Sequence, residues 1–160
     1  VTHRAPALLR TAYLLCGGDR GAAEDLLQDV LERTYPRWRR IRERPEAYVR
    51  AALANAAANR WRTRSRRVSE VPLDEAMEGT RTGHEQRIVD HDQVVRALHQ
   101  LPPRMRAVLV LRYFDDMSEA DVAKALRCGV GTVKSQSSRG LVRLRELLGA
   151  DDLPTIVETR

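Results

Sequence analysis

Apolar side chains recur every three or four residues along most of this chain, and nowhere do they alternate with polar ones, so the pattern predicts helices and no strands. After Pro6, well placed in a first helical turn, Leu8, Ala12 and Leu15 form a stripe that stops at Gly17-Gly18. Asp19 can cap a second helix, with Ala23, Leu26, Leu27, Val30 and Leu31 facing inward and Glu24, Asp25, Gln28, Asp29 and Glu32 facing out, until Pro36 breaks or kinks it. A third helix is expected from about Pro45 through "EAYVRAALANAAANRWRTRSRR", with Val49, Ala52, Leu53 and Ala56 on one face. Residues 68–88 hold Pro72, Gly79 and Gly83 among many acids and read as a linker with at most a short helix.

The helical period resumes near Asp90, where Val94, Val95, Leu98 and Leu101 share a stripe that Pro102-Pro103 ends in a sharp turn. "RMRAVLVLRYF" then reads as a strongly apolar, largely buried helix. Asp115-Asp116 follows and suits capping or solvation. Ser118 with Asp121 three residues on is close to a capping box, opening a short helix with Val122, Ala123 and Leu126 inward. "RCGV" is a turn, and "VGTVKSQSSRGLVRLRELL" is the last helix, with Leu141, Leu144 and Leu148 packed and Val133 alone apolar near its start. The tail 150–160 gives no clear signal. The expected architecture is all-α: one small helical domain over residues 1–67, an acidic linker over 68–89, and a second helical domain over 90–149, the two joined flexibly.

Charge changes this picture from a fold into a candidate binder. Residues 33–67 carry twelve arginines against two glutamates, residues 68–98 carry seven acids against three arginines, and residues 99–148 carry nine lysines or arginines against five acids. Two cationic blocks on either side of an acidic strip suggest two modules that each meet a polyanion. The chain has only one Phe, two Trp and four Tyr, so base stacking is not expected to be the main binding mode.

The helix pair "SEADVAKAL" and "GTVKSQSSRGLVRLREL" around the turn "RCGV" has helix-turn-helix dimensions. In such a unit the first helix braces across the backbone and the second puts its N-terminal residues into the major groove. Val133 would point back at Val122 and Ala123, leaving Thr132, Lys134, Ser135, Gln136, Ser138 and Arg139 outward. Gln reads adenine, Lys and Arg read guanine, and hydroxyls suit phosphate. No acid stands among them, whereas a merely solvated face would mix signs.

The segment "LPPRMRAVLVLRYFDDMSEADVAKALRCGVGTVKSQSSRGLVRLREL" resembles the C-terminal DNA-binding domain of extracytoplasmic-function sigma factors of bacterial RNA polymerase. "AAEDLLQDVLERTY" is similar to the family's polymerase-docking region, and "PEAYVRAALANAAANRWRTRSRR" to the stretch that melts and reads the −10 element. "RTAYLL", "YVR" and "WRTR" look most like an actinobacterial branch. The resemblance spans about residues 8–148, in the right order. It implies a region 2-like bundle, then a region 4-like helix-turn-helix. It implies that Asp25, Gln28, Asp29 and Glu32 dock on the clamp helices of the polymerase's largest subunit, although a solvated helix face would look the same. Tyr48, Asn55, Asn59, Arg60, Arg62 and Arg64 would lie along the −10 surface; the two asparagines could equally pack at a crowded helix crossing. Lys134, Ser135, Gln136 and Arg139 would meet the −35 element, with Thr132 and Ser138 on flanking phosphates. The acidic linker would thread a nucleic-acid channel or serve only as a tether. Core RNA polymerase and promoter DNA are the implied partners, with an anti-sigma factor a further candidate. Arg127 and Gly129 stand where the family's turn more often shows Gly and Ser, which shifts the flexible residue by two positions.

Other chemistries find no support. No apolar run approaches the roughly 18 residues of a membrane span, and no signal peptide is visible, so a cytoplasmic, reduced chain is expected. His3, His84, His91 and His99 show no metal spacing with Cys16 and Cys128. There is no phosphate-binding glycine loop, nucleophile elbow or paired acid site. No enzymatic activity, metal or cofactor is expected. A stand-alone helix-turn-helix regulator would account for residues 99–148 but would leave the arginine-rich helix and "AEDLLQD" without a role.

Overall fold

The structure, a computed structural model, describes residues 5–41, 44–68 and 87–149. The expected linker, from residue 69 to 86, and the tail from 150 onward lie outside the described residues, as do His3 and His84. Seven α-helices and no strand occur among the described residues. They are α1 (Ala5–Leu15), α2 (Arg20–Thr34), α3 (Pro45–Val68), α4 (Arg87–His99), α5 (Pro103–Leu109), α6 (Glu119–Leu126) and α7 (Val130–Leu148). A 3-10 segment, Tyr35–Arg40, follows α2 with Pro36 in its first turn.

Local signals set most of the boundaries. Asp19 accepts a hydrogen bond from the Ala22 amide at 2.9 Å and so caps α2. Ser118 does the same for α6, accepting from the Asp121 amide at 3.1 Å. Gly17 and Gly18 end α1 at φ +69° and +90°, a turn only glycine adopts freely. The helix after Pro102-Pro103 is less regular than its apolar run suggests. It passes at Val110 into a π-helical turn through Phe114, with the Asp115 amide donating to the Val110 carbonyl. The helix expected from about Asp90 begins at Arg87, within the ordinary slack of helix ends.

The first module packs α1, α2 and α3 around Leu8, Ala12, Ala23, Leu26, Val30, Val49 and Leu53, all buried. The second packs α4 to α7 around Leu98, Leu101, Val108, Leu111, Val122, Val133 and Leu144. At the crossing of α5 and α7 the backbones approach closely. A Cβ on Gly140 would lie 2.9 Å from Met105 Cγ and 3.0 Å from Leu109 Cδ1.

The modules pack on each other, α1 against α4 and α5, and α3 against α5 and α6. Gly17 and Gly18 permit this approach, because a Cβ there would strike His99 Nδ1 at 1.9 Å and Val95 Cγ1 at 2.6 Å. Arg106, inside the run read as apolar, is 6% exposed. Its guanidinium donates to the carbonyls of Leu98 (2.8 Å), His99 (2.7 Å), Leu101 (3.2 Å) and, across the module boundary, Leu15 (2.9 Å). Here a cation sits at the negative C-terminal ends of α1 and α4 together. Asp115, expected to cap or meet solvent, instead turns inward and accepts from Thr11 Oγ1 at 2.8 and 3.0 Å, with Arg50 Nε 3.3 Å away. Burial raises its carboxyl above the ordinary range, and the Thr11 hydrogen bond and Arg50 pull it back.

Candidate nucleic-acid and polymerase interface

The helix-turn-helix is formed by α6, the turn Arg127–Gly129 and α7. Arg127 closes α6 in the left-handed region at φ 52°, ψ 50°, the conformation usually left to glycine. Gly129 takes an extended φ of −74° and caps α7. The turn therefore keeps its left-handed residue in the expected place without a glycine there, and the flexible residue does not move.

Val133 is fully buried and shares the core with Val122 and Ala123. This rotation turns Thr132, Lys134, Ser138 and Arg139 to solvent, with Ser135 and Gln136 half-buried beside them. No acid occupies the first turn of α7 and no side chain caps it, so its positive end is left for an anion. Ser135 Oγ donates to the Thr132 carbonyl at 3.0 Å. Lys134 Nζ lies 3.9 Å from Glu119 Oε2 with most of its surface exposed, a contact worth little in water. Two further groups at this end were not visible to sequence reasoning. Val130 is 41% exposed, and a Cβ on Gly131 would meet nothing within 4 Å, so the helix start can approach a surface closely.

In the first module the expected residues divide. Asn59, Arg60, Arg62 and Tyr48 are exposed along α3, and Trp61, which the pattern had not marked out, is 52% exposed between two of those arginines. An exposed indole within an arginine run was the signal available. Arg64 lies in α3, but its side chain is outside the described set. Asn55 is spent elsewhere: its Nδ2 donates to the Ala51 carbonyl at 2.8 Å and to the Ala125 carbonyl of α6 at 2.7 Å. On α2, Asp25, Gln28 and Glu32 are exposed and Asp29 is half-buried. Gln28 donates to Glu32 at 3.0 Å. Arg60 pairs with Asp29, so the acidic face of α2 and the cationic end of α3 adjoin. Among the described residues no group of three or more His, Cys, Asp or Glu is placed to hold a metal ion. No helix among them is long and apolar enough to cross a membrane. Cys16 and Cys128 are free thiols. Burial pushes the Cys16 thiol up to about 11, which leaves it unreactive at neutral pH.

Among the described residues, an all-helical fold whose helix-turn-helix offers an acid-free recognition start, beside a bundle with an exposed Arg–Trp–Arg helix, has the features of a DNA-binding protein. Comparison with known proteins gives the family. The description "Sigma-70 region 2" matches residues 1–67 and "Sigma-70, region 4" matches residues 91–144. RNA polymerase sigma-E factor of Streptomyces coelicolor is 39% identical over 155 residues, spanning 96% of this chain and 86% of the relative. The sigma-E factor of Streptomyces avermitilis is 38% identical, spanning 96% and 85%. The solved structure of the sigma factor RpoE in complex with the anti-sigma factor NepR, from Bartonella quintana, superposes with a TM-score of 0.71 at 28% identity, covering 91% of this chain and 92% of that one. The chain belongs to the extracytoplasmic-function sigma factors of bacterial RNA polymerase, which direct promoter-specific transcription initiation.

Proposed function

We propose a division of labour along the chain, with the acid-free, outward face at the start of α7 as the observation that carries it. Residues 90–149 read the −35 element through Lys134, Ser135, Gln136 and Arg139, with Thr132 and Ser138 on phosphates. Residues 1–67 meet the −10 element through Tyr48, Asn59, Arg60, Arg62 and Arg64, and Asn55 joins them when its bond to α6 is released. Trp61 adds a stacking face for an unpaired base. Asp25, Gln28, Asp29 and Glu32 dock on the clamp helices of the polymerase, an acidic surface meeting a basic partner. Residues 68–89 tether the modules. The chain acts in the cytoplasm, catalyses no reaction of its own, and has an anti-sigma factor as a further partner.

Each module alone holds few phosphates, and its affinity falls by about 0.9 log unit per contact per log unit of salt. Placement on polymerase raises the effective concentration of both, so selectivity belongs to the assembly. Run-off transcription with core polymerase and a promoter library tests this. Transcripts that depend on both the promoter and this chain are expected. Salt-resistant, nanomolar preference of the free chain for one duplex would favour a stand-alone regulator instead. Lys134→Ala or Arg139→Ala should cost about 1–3 kcal/mol of promoter discrimination and leave polymerase affinity unchanged. Asp25→Ala with Glu32→Ala should do the reverse. Parallel loss of both activities in either set would defeat the assignment of separate surfaces.

A further inference from the structure

Arg127 occupies a position where an L side chain is strained. It sits at φ 52°, ψ 50°, a left-handed conformation that a Cβ disfavours and glycine takes freely. Hydrogen bonds hold it there: the Arg127 amide donates to the Lys124 carbonyl at 3.3 Å and the Cys128 amide to the Ala123 carbonyl at 3.0 Å. An arginine just past a helix can serve that helix by bonding its last carbonyls. Here those of Ala123 and Lys124 are taken by main-chain amides and that of Ala125 by Asn55 Nδ2. The Arg127 side chain is exposed, and among the described residues its guanidinium makes no hydrogen bond or ion pair. Strain at a residue whose side chain nothing inside the fold uses points to a use outside it.

The surroundings of Arg127 indicate that use. It lies two residues before Gly129, the N-cap of α7, so the two Cα atoms are at most about 7.6 Å apart. α7 opens with no acid in its first turn and no side-chain cap. Glu119 and Asp121 stand toward the far end of α6, where Glu119 faces Lys134 and Asp121 pairs with Arg44. Lys124, Arg127 and Arg139 are exposed, and among the described residues no acid pairs with any of them. Like charges left together in this way favour a polyanion. In a helix-turn-helix the first helix crosses the DNA backbone and the second enters the groove, which puts the turn between them at the groove's edge, over phosphates. We propose that Arg127 is an additional phosphate anchor on the −35 duplex: it fixes how α7 sits in the groove, reads no base, and is kept in the turn although it strains it. This inference rests on the sigma-factor reading above and adds a contact residue that lies outside the outward face of α7.

The salt dependence of promoter binding tests it, with holoenzyme assembled from core polymerase and the full chain. One phosphate contact contributes about 0.9 to the slope of log affinity against log salt. Taken as neutral at about 1 M salt, such a contact raises affinity about eight-fold at about 0.1 M and about four-fold at about 0.2 M. Arg127→Gly is therefore expected to bind promoter DNA about eight-fold more weakly at about 0.1 M salt, with a slope shallower by about 0.9. The loss should be the same for every promoter in a library, because a phosphate carries no sequence. The variant's affinity for core polymerase should be unchanged and its melting midpoint no lower than that of the wild type. Arg127→Lys, which keeps the charge, should recover most of the affinity and of the slope. Arg127→Asn, which also tolerates the left-handed turn, should match the glycine variant and carries the test if glycine loosens the turn. An unchanged slope in both neutral variants overturns the proposal, and so does an Arg127→Lys variant as weak as they are. A loss confined to promoters with particular −35 bases overturns it too, since Arg127 would then be a base reader. A wild-type chain that forms no promoter-dependent complex with core polymerase overturns the sigma-factor reading on which the proposal rests.

Discussion

Arg106 offers the sharpest test of how the fold is held. Replacing it with Met keeps most of the stem's apolar packing and removes the guanidinium. That group donates to Leu98, His99, Leu101 and Leu15 at 2.7–3.2 Å. Two of these losses are mild: Leu98 keeps the Leu101 amide at 3.1 Å, and exposed His99 can turn to water. The other two are not, because Leu15 and Leu101 are 4% and 2% exposed, and their carbonyls lose a charged donor worth about 1.5–3 kcal/mol each. Against that total of about 3–6 kcal/mol stands the cost of burying the guanidinium, which is large enough to lower its basicity. A net loss of about 3 kcal/mol follows, comparable to removing one partner of a buried ion pair. Urea melts followed by helix circular dichroism should show it, and thermal melts should fall by about 6–12 °C for a chain of this size. Arg104→Met, at an exposed site one turn-position away, should change stability by no more than about 0.5 kcal/mol. A loss below about 1 kcal/mol for Arg106→Met would refute the idea that this side chain bolts the ends of α1 and α4 together.

Three further outcomes are expected. Arg127→Gly should raise stability by about 0.5–1 kcal/mol, because it relieves a left-handed residue at φ 52° at a cost of only some unfolded-state entropy; a chemical melt checks it, and an unchanged or lower midpoint would count against the strain. Gly140→Ala should cost about 1–3 kcal/mol by the same measurement, since its Cβ would meet Met105 and Leu109 at the α5–α7 crossing. His99, whose ring packs on Gly17 while the rest of the side chain meets solvent, is held below its ordinary pKa by that partial burial and by the charge of Arg106, so below about pH 6.5 the unfolded chain takes up the proton first and stability falls as the solution is acidified from pH 7 to 5. His99→Gln removes that part of the slope, and identical pH profiles for the two proteins would contradict it.

The elements were legible in the sequence because each carries its own signal. Asp19 and Ser118 cap the helices they were expected to cap, and Gly17-Gly18 ends α1. The orientation of α7 was legible because Val133 stands among polar residues in helical register with Leu144 and Leu148, so one rotation buries all three. The seam between the modules was hidden because its acceptors include main-chain carbonyls, those of Leu15 and Ala125, which no residue pattern displays. Its side chains mislead as well. Asp115 read as a capping or solvated residue, Asn55 as a base reader or a packing residue, and Arg106 vanished inside an apolar run. Arg127 was opaque for a related reason: its backbone angle is imposed by the neighbouring helices rather than by its own preference.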